Sequence, residues 1–163
     1  MLGTQDNFFC PKVKLRKSAR EARERILPNK EILNQPFSKP RNNVAVAEVQ
    51  IQGKVVCYKE ATSNYKSPIP QPLPKSEGGR FEPRISPRTN RMMNTDAEFK
   101  LLTAIADDID MHYDKQVEAY LYLYSELEPC ESCEDIIRQF KEEYSNIKVE
   151  VFWDWRYLPQ IPK

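Results

Sequence analysis

The sequence predicts an α/β fold in which helices cover both faces of a mixed sheet of four to five strands. Residues 43–50 are almost continuously apolar, which is typical of a buried strand. Residues 118–124 and 147–153 alternate between apolar and other side chains, as half-buried strands do. Residues 95–112 carry an apolar stripe at helical spacing. Strands and helices that follow one another in this way pack as layers.

The first 41 residues predict a basic N-terminal arm, and residues 42–163 predict a single domain. The arm contains one run of cations: Lys12, Lys14, Arg16, Lys17, Arg20, Arg23 and Arg25. A helix is expected from Ala19 to Leu27, although its apolar content is thin. Two interpretations stay open for this segment: a peripheral helix that contacts phosphate, or a solvated linker.

The apolar run at 43–50 opens a predicted hairpin. Gln52-Gly53 marks the turn, and Val55–Tyr58 is the expected return strand, in which Cys57 is interpreted as a small core residue. A loop rich in proline and arginine is then expected over residues 60–93, with arginines at positions 80, 84, 88 and 91. Because a loop this long in a compact domain is usually functional, it is predicted to face a substrate. The alternative is an insertion without a role.

The second half of the chain predicts five segments in order. They are a helix from Thr95 to His112, a strand from Glu118 to Tyr124, a loop over residues 125–129, a helix from about Cys130, and a strand from Ile147 to Trp153. The two strands and the helix between them should form a right-handed unit with parallel strands.

Charge is distributed unevenly along the chain. The net charge is +1, but residues 1–94 hold 18 Lys+Arg against 8 Asp+Glu, or +10, and residues 95–163 hold 7 against 16, or −9. A cationic first half suggests an anionic partner. The alternative is that the two halves only attract each other.

No apolar run approaches the roughly 18 residues of a membrane helix, and no signal peptide is recognisable, which predicts a protein that is cytosolic or exported by another route.

Two short motifs carry the chemistry. Cys130 and Cys133 form a P-C-x-x-C motif at the expected start of a helix, and such a pair can hold zinc. Asp96-Ala-Glu98 precedes it by one helix and one strand. Helix starts that follow sheet strands gather at one sheet edge, so the two motifs are expected to meet. A carboxylate beside a bound metal can carry protons for a water molecule, and H-x-E with P-C-x-x-C is the signature of zinc-dependent nucleobase deaminases.

Each motif has a simpler interpretation. A C-x-x-C pair before a helix is also typical of thioredoxin-like redox sites, but the acidic neighbours Glu126, Glu128, Glu131 and Glu134 would oppose thiolate formation, which favours a metal. Thr95-x-x-Glu98 alone reads as a helix capping box. His112 is the only histidine and is interpreted as a helix-end residue rather than a ligand.

The two motifs resemble those of the toxin-deaminase family of bacterial polymorphic toxins, which has the three-layer sandwich of cytidine deaminases. The resemblance includes three further stretches: Asn43-Val-Ala-Val-Ala47, Leu123–Cys133 and Asn146–Val151. The resemblance covers roughly residues 43–153. It implies that Asp96, Cys130 and Cys133 bind Zn²⁺ and that Glu98 is the catalytic proton shuttle. It also implies substrate contacts at Asn43, Ala97, Ser125 and Pro129. Candidate nucleic-acid contacts are Arg84, Arg88, Arg91 and Trp153, and further candidates for stacking on a base are Tyr65, Phe81, Tyr124, Trp155 and Tyr157.

The expected function is therefore zinc-dependent deamination of cytosine to uracil in nucleic acid that presents an unstacked cytosine, with DNA favoured over RNA. The resemblance further implies a monomer without membrane contact, a cognate immunity protein, and a secreted bacterial effector that acts in the cytoplasm of a target cell. Alternatives are a free nucleoside or nucleotide deaminase, a non-catalytic zinc-binding interaction domain, and a thioredoxin-like oxidoreductase.

Two departures from the family pattern qualify these expectations. Asp96 stands where histidine is usual, and an Asp-Cys-Cys site is more negative than a His-Cys-Cys site, so a bound water should be less acidic. We expect an active enzyme that is slower or has a shifted pH dependence. The chain also ends soon after Trp153, which favours a sheet of only four strands or a degenerate edge.

Overall fold

The computed structural model describes residues 10–26, 42–63, 67–83, 97–129 and 131–155. Seven regular elements and one short 3₁₀ turn lie in these ranges. In chain order they are α1 (Pro11–Ile26), β1 (Val44–Ile51), β2 (Lys54–Thr62), the 3₁₀ turn Lys75–Glu77, α2 (Ala97–His112), β3 (Ala119–Leu127), α3 (Glu131–Glu143) and β4 (Ile147–Trp155). Among the described helices, none has both the length and the apolar character that a membrane span needs.

The strands form one mixed sheet in the order β2-β1-β3-β4. β1 is antiparallel to β2 and to β3, whereas β3 and β4 are parallel. The parallel pairing follows from the helix that connects β3 with β4, because a crossover returns the chain in the same direction. The four strands and the parallel unit were both predicted, and both are confirmed.

One face of the sheet is covered by α2 and α3. Alternate residues of β1 and β3, among them Ala47 and Leu123, point into a core that both helices complete. Phe99 and Phe140 are the largest apolar contributions of the two helices, and both side chains are fully buried. Burial of an aromatic side chain of this size is worth roughly 1.5–3 kcal/mol relative to exposure, so Phe99 helps to fix the start of α2.

The opposite face is covered by α1. Leu15, Ala19 and Ala22 are fully buried against Val44, Val46 and Tyr124 of the sheet. The sequence predicted that this helix begins at Ala19, but it begins eight residues earlier, at Pro11. Leu15 adds a turn of apolar contact, which is hard to recognise in the sequence because lysines and arginines surround it. Helices on both faces complete three layers, which confirms the predicted fold class.

Most cations of the N-terminal run form ion pairs with the sheet. Lys12 and Arg16 pair with Asp154, and Lys14 pairs with Glu48. Arg23 pairs with Glu126, and Arg25 pairs with Glu60. Lys12, Arg16 and Arg23 pair with residues of the acidic second half, as expected if the two halves of the chain attract each other. Lys14 and Arg25 pair with residues of the first half. The boundary at residue 41 stays a prediction, because residues 27–41 lie outside the described ranges.

Two strands extend further than the sequence indicated. β2 continues to Thr62, so the predicted loop cannot begin at Glu60. β3 continues to Leu127 through residues that were expected to form a loop. In both cases a glutamate made the strand hard to recognise in the sequence. Glu60 and Glu126 point to the face of α1, where they accept hydrogen bonds from Arg25 and Arg23.

Part of the proline-rich segment is anchored to the domain. Phe81 is 1% exposed and packs in the core beside Phe140. Arg80 forms ion pairs with Asp107 and Asp110 of α2, and the amide of Glu82 donates to Gln139 of α3 at 3.0 Å. Arg80, predicted as one of four loop arginines, is therefore held within the fold. Arg84, Arg88 and Arg91 lie outside the described residues.

Candidate functional site

A buried polar cluster forms where β3 ends and α2 begins. Glu98 lies in the first turn of α2, Ser125 lies near the end of β3, and Asn43 immediately precedes β1. The Ser125 hydroxyl donates to Glu98 Oε2 at 2.9 Å, and Asn43 Nδ2 donates to Ser125 Oγ at 2.7 Å. Asn43 Nδ2 also lies 3.4 Å from each carboxylate oxygen. Asn43 and Ser125 thus fix the orientation of a carboxylate that is only 2% exposed.

The backbone holds Asn43 firmly. Its side-chain oxygen accepts the amide hydrogen of Leu127 at 3.1 Å. Its own amide donates to Ser63 Oγ, and its carbonyl accepts the Ser63 amide, each at 2.9 Å. Asparagine suits this position because it offers both a donor and an acceptor, one for the Ser125–Glu98 pair and one for the strand.

Lys100 ties the start of α2 to the end of β2. Its ammonium group is buried, with 1% of the residue exposed, and it donates to the carbonyl of Thr62 at 2.8 Å. Because Ser63 follows Thr62 directly, the two strands and the helix that carry Asn43 and Glu98 are cross-linked by polar contacts on each side of the cluster.

The remaining predicted site residues fall into two groups. Ala97, Pro129 and Cys133 are buried, with Ala97 the first residue of α2, Pro129 just after β3 and Cys133 in the first turn of α3. Trp153 is the partner of Ser125 in the β3–β4 ladder and is 37% exposed. Two of the predicted zinc ligands, Asp96 and Cys130, lie outside the described residues, as do the three predicted loop arginines.

Most of the chain matches the model of a known protein family. Residues 29–154, more than half of the chain, match the Toxin-deaminase family model, described as the BURPS668_1122 family of deaminases. The chain belongs to this toxin-deaminase family. The suspected family is thereby confirmed, and the activity class is that of a deaminase. No curated protein matches the chain.

The donor chemistry of this deaminase fits zinc. Two thiolates and a carboxylate are ligands that Zn²⁺ accepts, and Cys133 sits in the first turn of a helix, where the helix dipole favours a thiolate. In the described ranges no group of three or more His, Cys, Asp or Glu side chains could hold a metal. These ranges include Cys133 but neither Asp96 nor Cys130, so the ligand set stays a prediction.

The two remaining described cysteines and the histidine lie outside the buried polar cluster. Cys57 is a free, buried thiol, and burial raises its pKa to about 12, so it stays protonated at neutral pH. Its interpretation as a core residue is confirmed. Cys10 is free and exposed. His112 is the exposed last residue of α2 and contacts Asp108, which confirms the helix-end interpretation.

Sequence reasoning missed the role of Glu126. It was counted among the anions that crowd the cysteine pair, but it lies on the opposite face of β3 from Ser125 and forms a buried ion pair with Arg23 at 2.6 Å. Strand alternation is the signal that would have found it. Once β3 is extended to Leu127, residues 124 and 126 must face away from residues 123 and 125.

Two of the aromatic candidates for base stacking are excluded. Phe81 is a core residue, and Tyr124 is 3% exposed beneath α1, where its hydroxyl donates to Asp154 at 2.6 Å. Burial and the neighbouring Asp154 raise the pKa of Tyr124. Trp155 is partly buried at the end of β4, and Tyr65 and Tyr157 lie outside the described residues. Trp153 therefore remains the best described candidate.

Proposed function

We propose that this chain hydrolyses cytosine to uracil in nucleic acid, as the toxic domain of a bacterial polymorphic toxin. One observation carries the proposal. In a member of a deaminase family, Glu98 is buried at a helix start beside the end of a parallel strand, and Ser125 and Asn43 orient its carboxylate. Burying a carboxylate costs solvation free energy, and a purely structural role does not require that cost. A group that carries protons, in contrast, needs a fixed position of this kind.

Glu98 would take a proton from the attacking water and deliver it to N3 of the cytosine ring. With the water oxygen bonded to C4, Glu98 would transfer the remaining proton of that hydroxyl group to the exocyclic amine. The C4–N bond then breaks, ammonia leaves and uracil forms. Ser125 and Asn43 would keep the carboxylate aligned throughout, because both donate hydrogen bonds to it. Zinc held by Asp96, Cys130 and Cys133 would, when bound, lower the pKa of a water molecule so that hydroxide is available near neutral pH.

A polynucleotide substrate is supported by the charge of the chain and by the position of Trp153. Arg84, Arg88 and Arg91 precede α2 and the Asp96-Ala-Glu98 motif in sequence, and Lys17 and Arg20 of α1 are exposed. Trp153 is the ladder partner of Ser125 and offers an accessible ring for stacking on a neighbouring base. Only an unstacked or single-stranded base can enter a buried site, so single-stranded DNA is the first substrate to test.

The test is sequencing of nucleic acid after incubation with the protein. Single- and double-stranded DNA and RNA are each treated with wild-type protein and with Glu98→Gln, which keeps the size of the side chain but removes its proton-carrying group. We expect C-to-T changes with wild type alone. No change in any substrate, or equal change with both proteins, would refute the proposal. Mutation of the genome during expression of wild type, but not of Glu98→Gln, would support the toxin role.

Deamination of a free nucleoside is the second candidate. It is favoured by one observation: five cations of the N-terminal run are engaged in ion pairs with the domain and are not free to bind a polyanion. Release of ammonia from free cytidine at a rate comparable to that on DNA would support this candidate.

A further inference from the structure

Asn43 is held by hydrogen bonds to both of its peptide groups. On one edge, Ser63 accepts from the amide of Asn43 and donates to its carbonyl, each at 2.9 Å. On the other edge, Arg23 Nη2 donates to the carbonyl of Asn42, and Glu126 Oε1 accepts the amide of Val44 at 3.1 Å. The peptide planes before and after the Asn43 Cα atom are therefore fixed from two directions.

The hydrogen bonds to the Asn42 carbonyl and the Val44 amide depend on one ion pair. Arg23 Nε lies 2.8 Å from Glu126 Oε2, and Arg23 Nη2 lies 2.6 Å from Glu126 Oε1, so the pair is two-pronged. Arg23 is 7% exposed and Glu126 is 8% exposed. An arginine fork matches a carboxylate in this way and still has an N–H left for Asn42, whereas the single ammonium of lysine cannot reproduce both contacts.

The pair lies on the α1 face of the sheet, across from the cluster of Asn43, Ser125 and Glu98. Residues 125 and 126 are neighbours in β3, so Ser125 reaches Glu98 on one face while Glu126 holds the Asn43 backbone from the other. Arg23 precedes residue 29, where the match to the family model begins. Its contacts thus connect a helix outside the matched region to a residue of the candidate site.

We propose that Arg23 and Glu126 are positioning residues that fix the Asn43 side chain and, through it, the orientation of the Glu98 carboxylate. The proposal rests on the proposed function, because it assigns these residues to the same site. Loss of the pair should free the peptide groups of Asn43 and lower the rate of deamination without altering any group that touches the substrate.

The test separates positioning from folding by comparing three variants. Arg23→Met leaves Glu126 buried without its partner, and it is expected to lower both stability and kcat/KM, the latter by at least about tenfold. Arg23→Met combined with Glu126→Leu removes both buried charges, which restores stability. In this double variant kcat/KM should stay low, because the contacts to Asn42 and Val44 are still missing. Arg25→Met removes an exposed ion pair from the same helix and should leave kcat/KM within about twofold.

A double-mutant cycle shows whether the pair acts through Asn43. In an Asn43→Ala background, the Arg23→Met and Glu126→Leu changes together should alter kcat/KM by less than about threefold. Recovery of kcat/KM together with stability, or an equal loss with and without Asn43, would overturn the proposal.

A measurement without substrate keeps this inference distinct from the proposed function. In ¹⁵N NMR spectra, the side-chain amide signals of Asn43 should shift or broaden in the double variant and stay in place in Arg25→Met. Unchanged signals in the double variant would overturn the inference even if the wild type is active. A wild type that deaminates nothing would refute the proposed function, and the Asn43 signals would still decide the inference.

Discussion

Ser125 has two hydrogen-bonding roles in the candidate site, because its hydroxyl accepts from Asn43 and donates to Glu98. A hydroxyl that accepts one hydrogen bond becomes a better donor for the next, so the chain from Asn43 to Glu98 is cooperative. Removal of the hydroxyl takes away the shortest of these hydrogen bonds to the carboxylate, and small errors in the position of a reacting group are costly.

Ser125→Ala should therefore lower kcat for cytosine deamination by about tenfold to a hundredfold while the protein remains folded. Loss of one buried hydrogen bond should reduce the free energy of unfolding by about 1 kcal/mol. Steady-state kinetics and urea denaturation measure the two effects, with Ser145→Ala in an exposed turn as the control. An unchanged kcat would show that Glu98 does not depend on this hydroxyl.

Substitution of one predicted zinc ligand at a time tests the metal site. Cys133→Ser and Asp96→Ala should each bind much less zinc than wild type, since each removes one of three predicted donors. Elemental analysis of the purified proteins measures the zinc content, and Cys10→Ser, which alters an exposed thiol, is the control. A full complement of zinc in Cys133→Ser, or full activity of Asp96→Ala, would contradict the predicted ligand set.

At the scale of the element, α1 is a structural part of the domain. Its apolar stripe is narrow, but Leu15 is fully buried against the sheet, whereas Val13 on the opposite side is 56% exposed. Leu15→Ala should lower the free energy of unfolding by about 2–5 kcal/mol through the cavity it leaves. Val13→Ala should change it by less than about 0.5 kcal/mol. Denaturant titrations of both variants measure the difference, and equal effects would show that α1 does not pack as described.

The N-terminal half of α1 also contributes electrostatically. Arg16, followed by the hydrogen bond from Tyr124, lowers the pKa of Asp154 from 3.8 to about 2. A carboxyl group whose pKa is depressed by folding stabilises the native state above its unfolded pKa, near 3.8, and that contribution disappears as the pH falls through about 2.

Asp154→Asn should accordingly destabilise the protein near neutral pH by about 1 kcal/mol, a value reduced for partial exposure of the pair. The difference from wild type should shrink between pH 4 and pH 2, which denaturant titrations at several pH values would reveal. Glu150→Gln, on the same strand and face and without an ion pair among the described residues, is the matched control. A difference that stays constant down to pH 2 would contradict the assignment.

On the scale of the whole molecule, the layers bring together residues that are far apart in sequence. Glu98 and Ser125 lie in α2 and β3, and Asn43 immediately precedes β1. They meet because β3 is the neighbour of β1 in the sheet, while α2 packs over β1 and β2. Catalytic groups of such sheets gather where the parallel strands end. The order of the strands is therefore what assembles the site.

The regular elements were predictable wherever one apolar period dominated. The stripe of α2 and the alternation of β4 identified their elements, and the motif residues Glu98 and Cys133 lie in the first turns of α2 and α3, where helix starts were expected. The end of β3 and the start of α1 were not predictable in the same way. Their polar residues are buried by pairing with each other, as Arg23 is with Glu126, and a pairing across 103 residues of sequence leaves no local pattern.

The central claim is that Glu98, oriented by Asn43 and Ser125, carries protons for the deamination of cytosine. Its most direct measurement is mass spectrometry of a single-stranded oligonucleotide with one cytosine, sampled over time with excess protein. The wild type should convert the cytosine to uracil, seen as replacement of an NH group by oxygen, and Glu98→Gln should leave the mass unchanged over the same period. Conversion at the same rate by both proteins, or by neither, would contradict the claim.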